Sequence, residues 1–160
     1  MDHLPVNHQL RPLWRGLAFF AGVYMLVFGI VGFVASTGDG LEWFAQSGLP
    51  SALGLKANPA FSLLSIVVGA IVVLGVLIGR NVDRVVNLVA GSIQLLASMG
   101  MLAVLRTDLN FLGFSVATCV VSSILGLTLL TAGLYGKVGP RSAEQAQNQH
   151  RHRVVGGDNT

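Results

Sequence analysis

Residues 60–79 read AFSLLSIVVGAIVVLGVLIG, twenty residues with no acid, base or histidine among them. A hydrocarbon layer about 30 Å thick is crossed by about 20 helical residues rising about 1.5 Å each. The stretch is long enough to cross a bilayer once and holds nothing that resists burial in lipid. Working outward, three more uncharged runs share this character: residues 16–36, 85–105 and 111–135, of 21, 21 and 25 residues. The expected fold class is all-α, an integral membrane four-helix bundle.

Composition agrees. Apolar residues make up 52% of the chain and charged residues 11%, and the mean hydropathy is +0.69. A soluble chain of this size needs far more polar surface around its core. Because the charges sit in loops and tails, the net charge of +3 is a topology signal, and no nucleic-acid partner is expected. The single cysteine, Cys119, lies in the fourth run, where a small packing residue is expected. The first run exceeds the apolar core of a signal peptide and stays bulky to its end at Phe33 and Val34, so it is expected to be retained as a span. Asp2 is incompatible with an N-myristoylation motif.

Basic residues set the expected orientation. Arg11, Arg15, Arg80, Arg84, Lys137, Arg141, Arg151 and Arg153 would fall on one side, and Lys56 and Arg106 on the other. Segments rich in Lys and Arg stay inside. Both termini are expected to be cytoplasmic in a multi-pass protein of a bacterial plasma membrane. The expected divisions are a cytoplasmic arm at 1–15, the transmembrane domain at 16–136 and a polar, disordered cytoplasmic tail at 137–160.

The one long loop, 37–59, faces outward in this reading. Its Leu41-Glu42-Trp43-Phe44 patch would either lie in the lipid interface or plug the end of the bundle. Asn58-Pro59 is a helix-start signal: Asn caps free N–H groups, and Pro gives up no hydrogen bond at the first helical position. Two patterns recur. Arg15-x5-Ala21-Gly22 matches Arg84-x5-Ala90-Gly91 at an offset of 69, and Ser65-x3-Gly69-x9-Gly79 matches Ser122-x3-Gly126-x9-Gly136 at an offset of 57. A true repeat would make the bundle two helical hairpins related by an axis along the membrane normal.

Small residues form stripes. Gly22, Met25, Gly29, Gly32 and Ser36 share one face of the first span, and Ser115, Cys119, Ser122 and Gly126 one face of the fourth. Lipid supplies no hydrophobic drive between helices, so such stripes are expected where backbones approach closely. In the third span Asn87, Gly91, Gln94 and Ser98 also share a face. These polar groups are expected to face the bundle, either as interhelical hydrogen bonds or as a polar pocket for a small ligand.

No histidine lies in a span, and no Ser-His-Asp, HExxH, Walker or GxGxxG pattern occurs. No catalytic residue, metal site or cofactor is expected. His150-Arg151-His152-Arg153, with His3 and His8, reads as solvated chain.

Leu53-Gly54-Leu55 with Asn58-Pro59 before the second span, the Gly-rich hairpins, and Leu112-Gly113-Phe114 before the fourth resemble an actinobacterial, DUF4383-like family of small four-helix membrane proteins of unknown function. The resemblance covers about residues 16–136 and implies fold and membrane location, with no activity to transfer. Members place a histidine after the Asn-Pro; Ala60–Leu64 has none, so a role tied to it does not carry over. The expected function is a non-enzymatic accessory or scaffold subunit of a membrane complex. Its expected partners are the lipid bilayer and other membrane subunits. The alternative is a small-molecule or lipid carrier using the polar face of the third span.

Overall fold

A computed structural model describes residues 10–137. Most of the arm, the histidine-bearing segments and the tail from residue 138 lie outside the described residues. Four helices follow in order: α1 (Arg11–Gly38), α2 (Pro59–Ile78), α3 (Val82–Ala103) and α4 (Val116–Tyr135). All four are long and apolar enough to cross a membrane, and the protein is an all-α, four-helix membrane bundle. The first and last helices end together, with the Trp14 and Tyr135 rings stacked at 5.7 Å. This basic end also carries the α2–α3 turn, and the loop end lies opposite.

Three boundaries differ from the apolar runs by three residues or more. First, α1 starts at Arg11 rather than Gly16, with Pro in its first turn. Its 28 residues give about 42 Å of helix, so its first turns extend past the hydrocarbon. Second, α3 starts at Val82, which puts Asp83 and Arg84 in its first turn rather than in a loop. The α2–α3 turn shrinks to Gly79, Arg80 and Asn81, all at positive φ. Third, residues 111–115 are a turn, although wholly uncharged. Gly113 has φ +65°, and Asn110 brackets the segment, donating from Nδ2 to the Phe114 carbonyl and accepting from the Phe114 N–H, both at 2.9 Å. Ser115 then caps α4 by accepting from the Thr118 N–H.

The closest helix pairs are α1–α2 and α3–α4, and glycine makes both possible. A Cβ built on Gly69 would lie 2.8 Å from the Gly22 carbonyl oxygen and 2.7 Å from the Leu26 nitrogen. A Cβ on Gly126 would lie 3.2 Å from the Gly91 carbonyl oxygen and 3.0 Å from the Leu95 nitrogen. The partners correspond under the same two offsets, 69 for Gly22 and Leu26, 57 for Gly69. The two hairpins thus cross in the same way, which gives the sequence repeat a structural counterpart.

The loop between α1 and α2 holds a short hairpin, β1 (Ser51–Ala52) and β2 (Leu55–Lys56), antiparallel with Ser51 opposite Lys56 and Ala52 opposite Leu55. Leu53 and Gly54 both have positive φ, as a tight two-residue hairpin turn requires. The hairpin is a plug: Ala52, Leu55 and Ala57 are buried with Phe28, Phe61 and Phe114. Trp43 and Phe44 remain more than half exposed and stand outside the plug. The buried plug is thus built by residues 51–57 and not by the Leu41–Phe44 patch. Asn58 ties the end together. Its Oδ1 caps Phe61 at 2.8 Å, and its Nδ2 donates to the carbonyls of Ala45 and Phe111 at 3.1 and 2.9 Å.

Candidate functional site

The polar residues of α3 are divided among three surroundings. A Cβ on Gly91 would meet the α4 backbone, 2.5 Å from the Leu130 nitrogen and 2.8 Å from the Gly126 carbonyl oxygen. Ser98 shares a 2.9 Å hydrogen bond with Ser123 of α4. Asn87 is buried one turn above Asp83, and its Oδ1 has no hydrogen-bond partner. Gln94 departs from this set. It is half-buried, and its side-chain amide makes no hydrogen bond to another described residue. At about 100° per residue, position 94 lies about 60° around the helix from position 91, on the side toward Ala90 and Ala97. The four residues share a broad face, but that face straddles the edge of the α3–α4 contact.

Gln94 lines a groove of ≈ 340 Å³ between α2 and α3, with Leu64, Val68 and Ile71 on one wall and Ala90, Ile93 and Ala97 on the other. The two helices meet at Gly75, where a Cβ would lie 3.1 Å from the Val86 side chain, and the groove runs along them away from the turn. Its lining is almost wholly apolar. Among the other small residues, a Cβ on Gly22 would meet Val72 and Val73, one on Gly29 the Ser62 carbonyl oxygen at 2.6 Å, and one on Gly32 the Ser62 hydroxyl. Ser122 and Gly126 are buried on α4.

A second constellation sits at the basic end, built by the first turns of α1 and α3. Asp83, 1% exposed, lies 3.8 Å from Arg11 Nη2 and 3.3 Å from Arg15 Nε. Its other oxygen accepts from the Arg84 N–H at 2.9 Å. Arg15 also donates from Nη2 to the Val76 carbonyl at the end of α2. The Nε atoms of Arg11, Arg15 and Arg84 are all buried without a hydrogen-bond partner. One carboxylate therefore stands against two guanidinium groups and the Arg84 backbone N–H. The apolar runs leave Arg11 and Arg15 in the N-terminal arm and residues 80–84 in a connection; the helical starts of α1 and α3 bring them together. The available signal was the (i, i+4) pair Arg11 and Arg15, with Asp83 beside Arg84, at two ends placed on the same side by topology.

Among the described residues no group of three or more His, Cys, Asp or Glu is placed to hold a metal ion. Four apolar helices, paired through glycine and closed at one end by a plug, define a multi-pass membrane protein of the small four-helix class. A family model described as a domain of unknown function, DUF4383, matches residues 15–135, and the chain belongs to that family. No curated protein and no solved structure matches it.

Proposed function

We propose that the protein is a non-enzymatic accessory or scaffold subunit that receives a helix of another membrane protein on its α2–α3 face. The groove with the Gln94 amide carries this reading. Only 17% of the most apolar stretch of α3 is buried, against 39% in each of the other three helices. Lipid tails can fill the apolar walls, but they offer nothing to an amide, whereas a partner helix with a polar side chain can bond to it.

The expected result for Gln94→Leu follows from its lack of a hydrogen bond. Stability in detergent should change by less than about 0.5 kcal/mol, because the substitution is close in volume and breaks no internal bond. Recovery of the partner in native purification should fall. Gln94→Leu that destabilises the isolated protein by about 1 kcal/mol or more would show an intramolecular role instead.

The alternative, a small-molecule or lipid carrier on the polar face of α3, has less support. Of Asn87, Gln94 and Ser98, only Gln94 lines the groove.

The proposed setting is the plasma membrane of a bacterium with both termini cytoplasmic, supported by the eight-to-two basic bias. Cysteine at Ser47 should react with an impermeant thiol reagent in intact cells, and cysteine at Ser142 only after permeabilisation. Native Cys119 is buried and adds little background. The reverse labelling pattern would invert the orientation.

A further inference from the structure

The two hairpins correspond at the basic end, with one substitution that changes its charge balance. Arg15 lies over the end of α2, its Nη2 3.2 Å from where a Gly79 Cβ would stand. Arg84 lies over the end of α4, its own Cβ 3.8 Å from the corresponding position on Gly136. These pairs are repeat equivalents, Arg15 with Arg84 and Gly79 with Gly136. In the first hairpin, Arg15 has a counter-ion, Asp83, supplied by the first turn of α3. The repeat equivalent of Asp83 on α1 is Trp14, which stacks on Tyr135 and brings no charge.

Within the basic-end cluster, Arg84 is accordingly the arginine whose guanidinium faces no carboxylate among the described residues. Its guanidinium makes no ion pair or hydrogen bond to a described residue. Nε is buried, and the terminal nitrogens are not. Asp83 makes no ion pair with it: one carboxylate oxygen faces Arg11 and Arg15, and the other accepts the Arg84 backbone N–H. Arg11 and Arg15, which flank the preceding residue Asp83, add positive charge at the same end of the bundle. The Trp14–Tyr135 stack at the same end is of the kind that anchors helices at lipid headgroups. A planar guanidinium presents its donors in a fork that matches two phosphate oxygens. Basic pockets between membrane helices at this depth suit anionic headgroups.

We propose that Arg84, on the α3–α4 flank of this cluster, binds a phosphate group, and that in the membrane this is the phosphate of an anionic phospholipid. The site is at the opposite end of α3 from Ser98 and does not depend on what occupies the α2–α3 groove. The full chain, purified in neutral detergent, would be titrated with phosphatidylglycerol, with phosphatidylcholine of the same chains and with inorganic phosphate. Bound species would be counted by native mass spectrometry, and folding checked by thermal unfolding. Phosphatidylglycerol should bind in preference to phosphatidylcholine. Arg84→Gln should weaken that binding about tenfold, the loss of one charge-assisted contact. Arg84→Lys, which keeps the charge without the fork, should fall between the two, and Arg106→Gln at the loop end should match the unaltered chain. Displacement of the lipid by millimolar inorganic phosphate would overturn the lipid as the source, while supporting the phosphate chemistry. Equal retention of phosphatidylglycerol by the Arg84→Gln and Arg84→Lys variants and the unaltered chain would overturn the site.

Discussion

Gly91→Ala should lower the stability of the bundle by about 3 kcal/mol, the upper end of what overpacking a tight contact costs. The new methyl carbon would stand 2.5 Å from the Leu130 nitrogen, 2.8 Å from the Gly126 carbonyl oxygen and 2.9 Å from the Leu130 Cα. All three are backbone atoms, so no side chain can rotate away. The α3–α4 pair must separate, and in lipid the dispersion contacts along that seam are what hold the pair together. Gly100→Ala on the same helix is the control, because nothing lies within 4 Å of its Cβ position. There the better helix propensity of Ala, about 1 kcal/mol in water, should leave stability equal or higher. Thermal unfolding in one detergent compares the two. Equal effects would mean that α3 and α4 do not meet at Gly91.

Asp83→Asn should cost about 2 kcal/mol. Removing one partner of a buried ion pair costs about 3–5 kcal/mol when the other is left buried and unpaired. Here the side chains of Arg11 and Arg15 are 25% and 35% exposed, so water compensates part of the loss. The carboxylate also favours the positive start of α3, an effect of about 0.5 kcal/mol. Adding Arg15→Gln to Asp83→Asn should cost less than the sum of the two single changes, because the same pair is broken only once. Strict additivity would show that Asp83 and Arg15 act independently.

How much of this was legible in the sequence depends on the kind of signal. Apolar runs report the number of spans because lipid demands long uncharged helices. Asn58-Pro59 marked the start of α2 because a cap and a first-turn proline are local chemistry, and Asn58 does cap Phe61. Residues 111–115 were not legible as a turn. Their hydropathy matches the helix that follows, and only the Asn110 bracket and the positive φ of Gly113 separate them. The plug hairpin at 51–56 is short and carries no apolar alternation to read. The basic-end cluster joins residues about seventy positions apart, and apolar runs ending at 79 and resuming at 85 leave Asp83 in the connection between them. Gln94 was placed with Asn87, Gly91 and Ser98 by helical spacing. Spacing assigns a face, and the width of the α4 contact decides that Gln94 lies outside it.

A photoreactive amino acid at Ile93, on the groove wall and 60% exposed, tests most directly whether the α2–α3 face receives another protein. The same group at Leu127, 58% exposed on α4, is the reference. Irradiated in native membranes, a docked chain gives one discrete protein adduct from position 93 and none from 127, and the adduct weakens in the Gln94→Leu background. An adduct of twice the chain mass would identify the occupant as a second copy. Lipid adducts alone from both positions would contradict a docking role for this face.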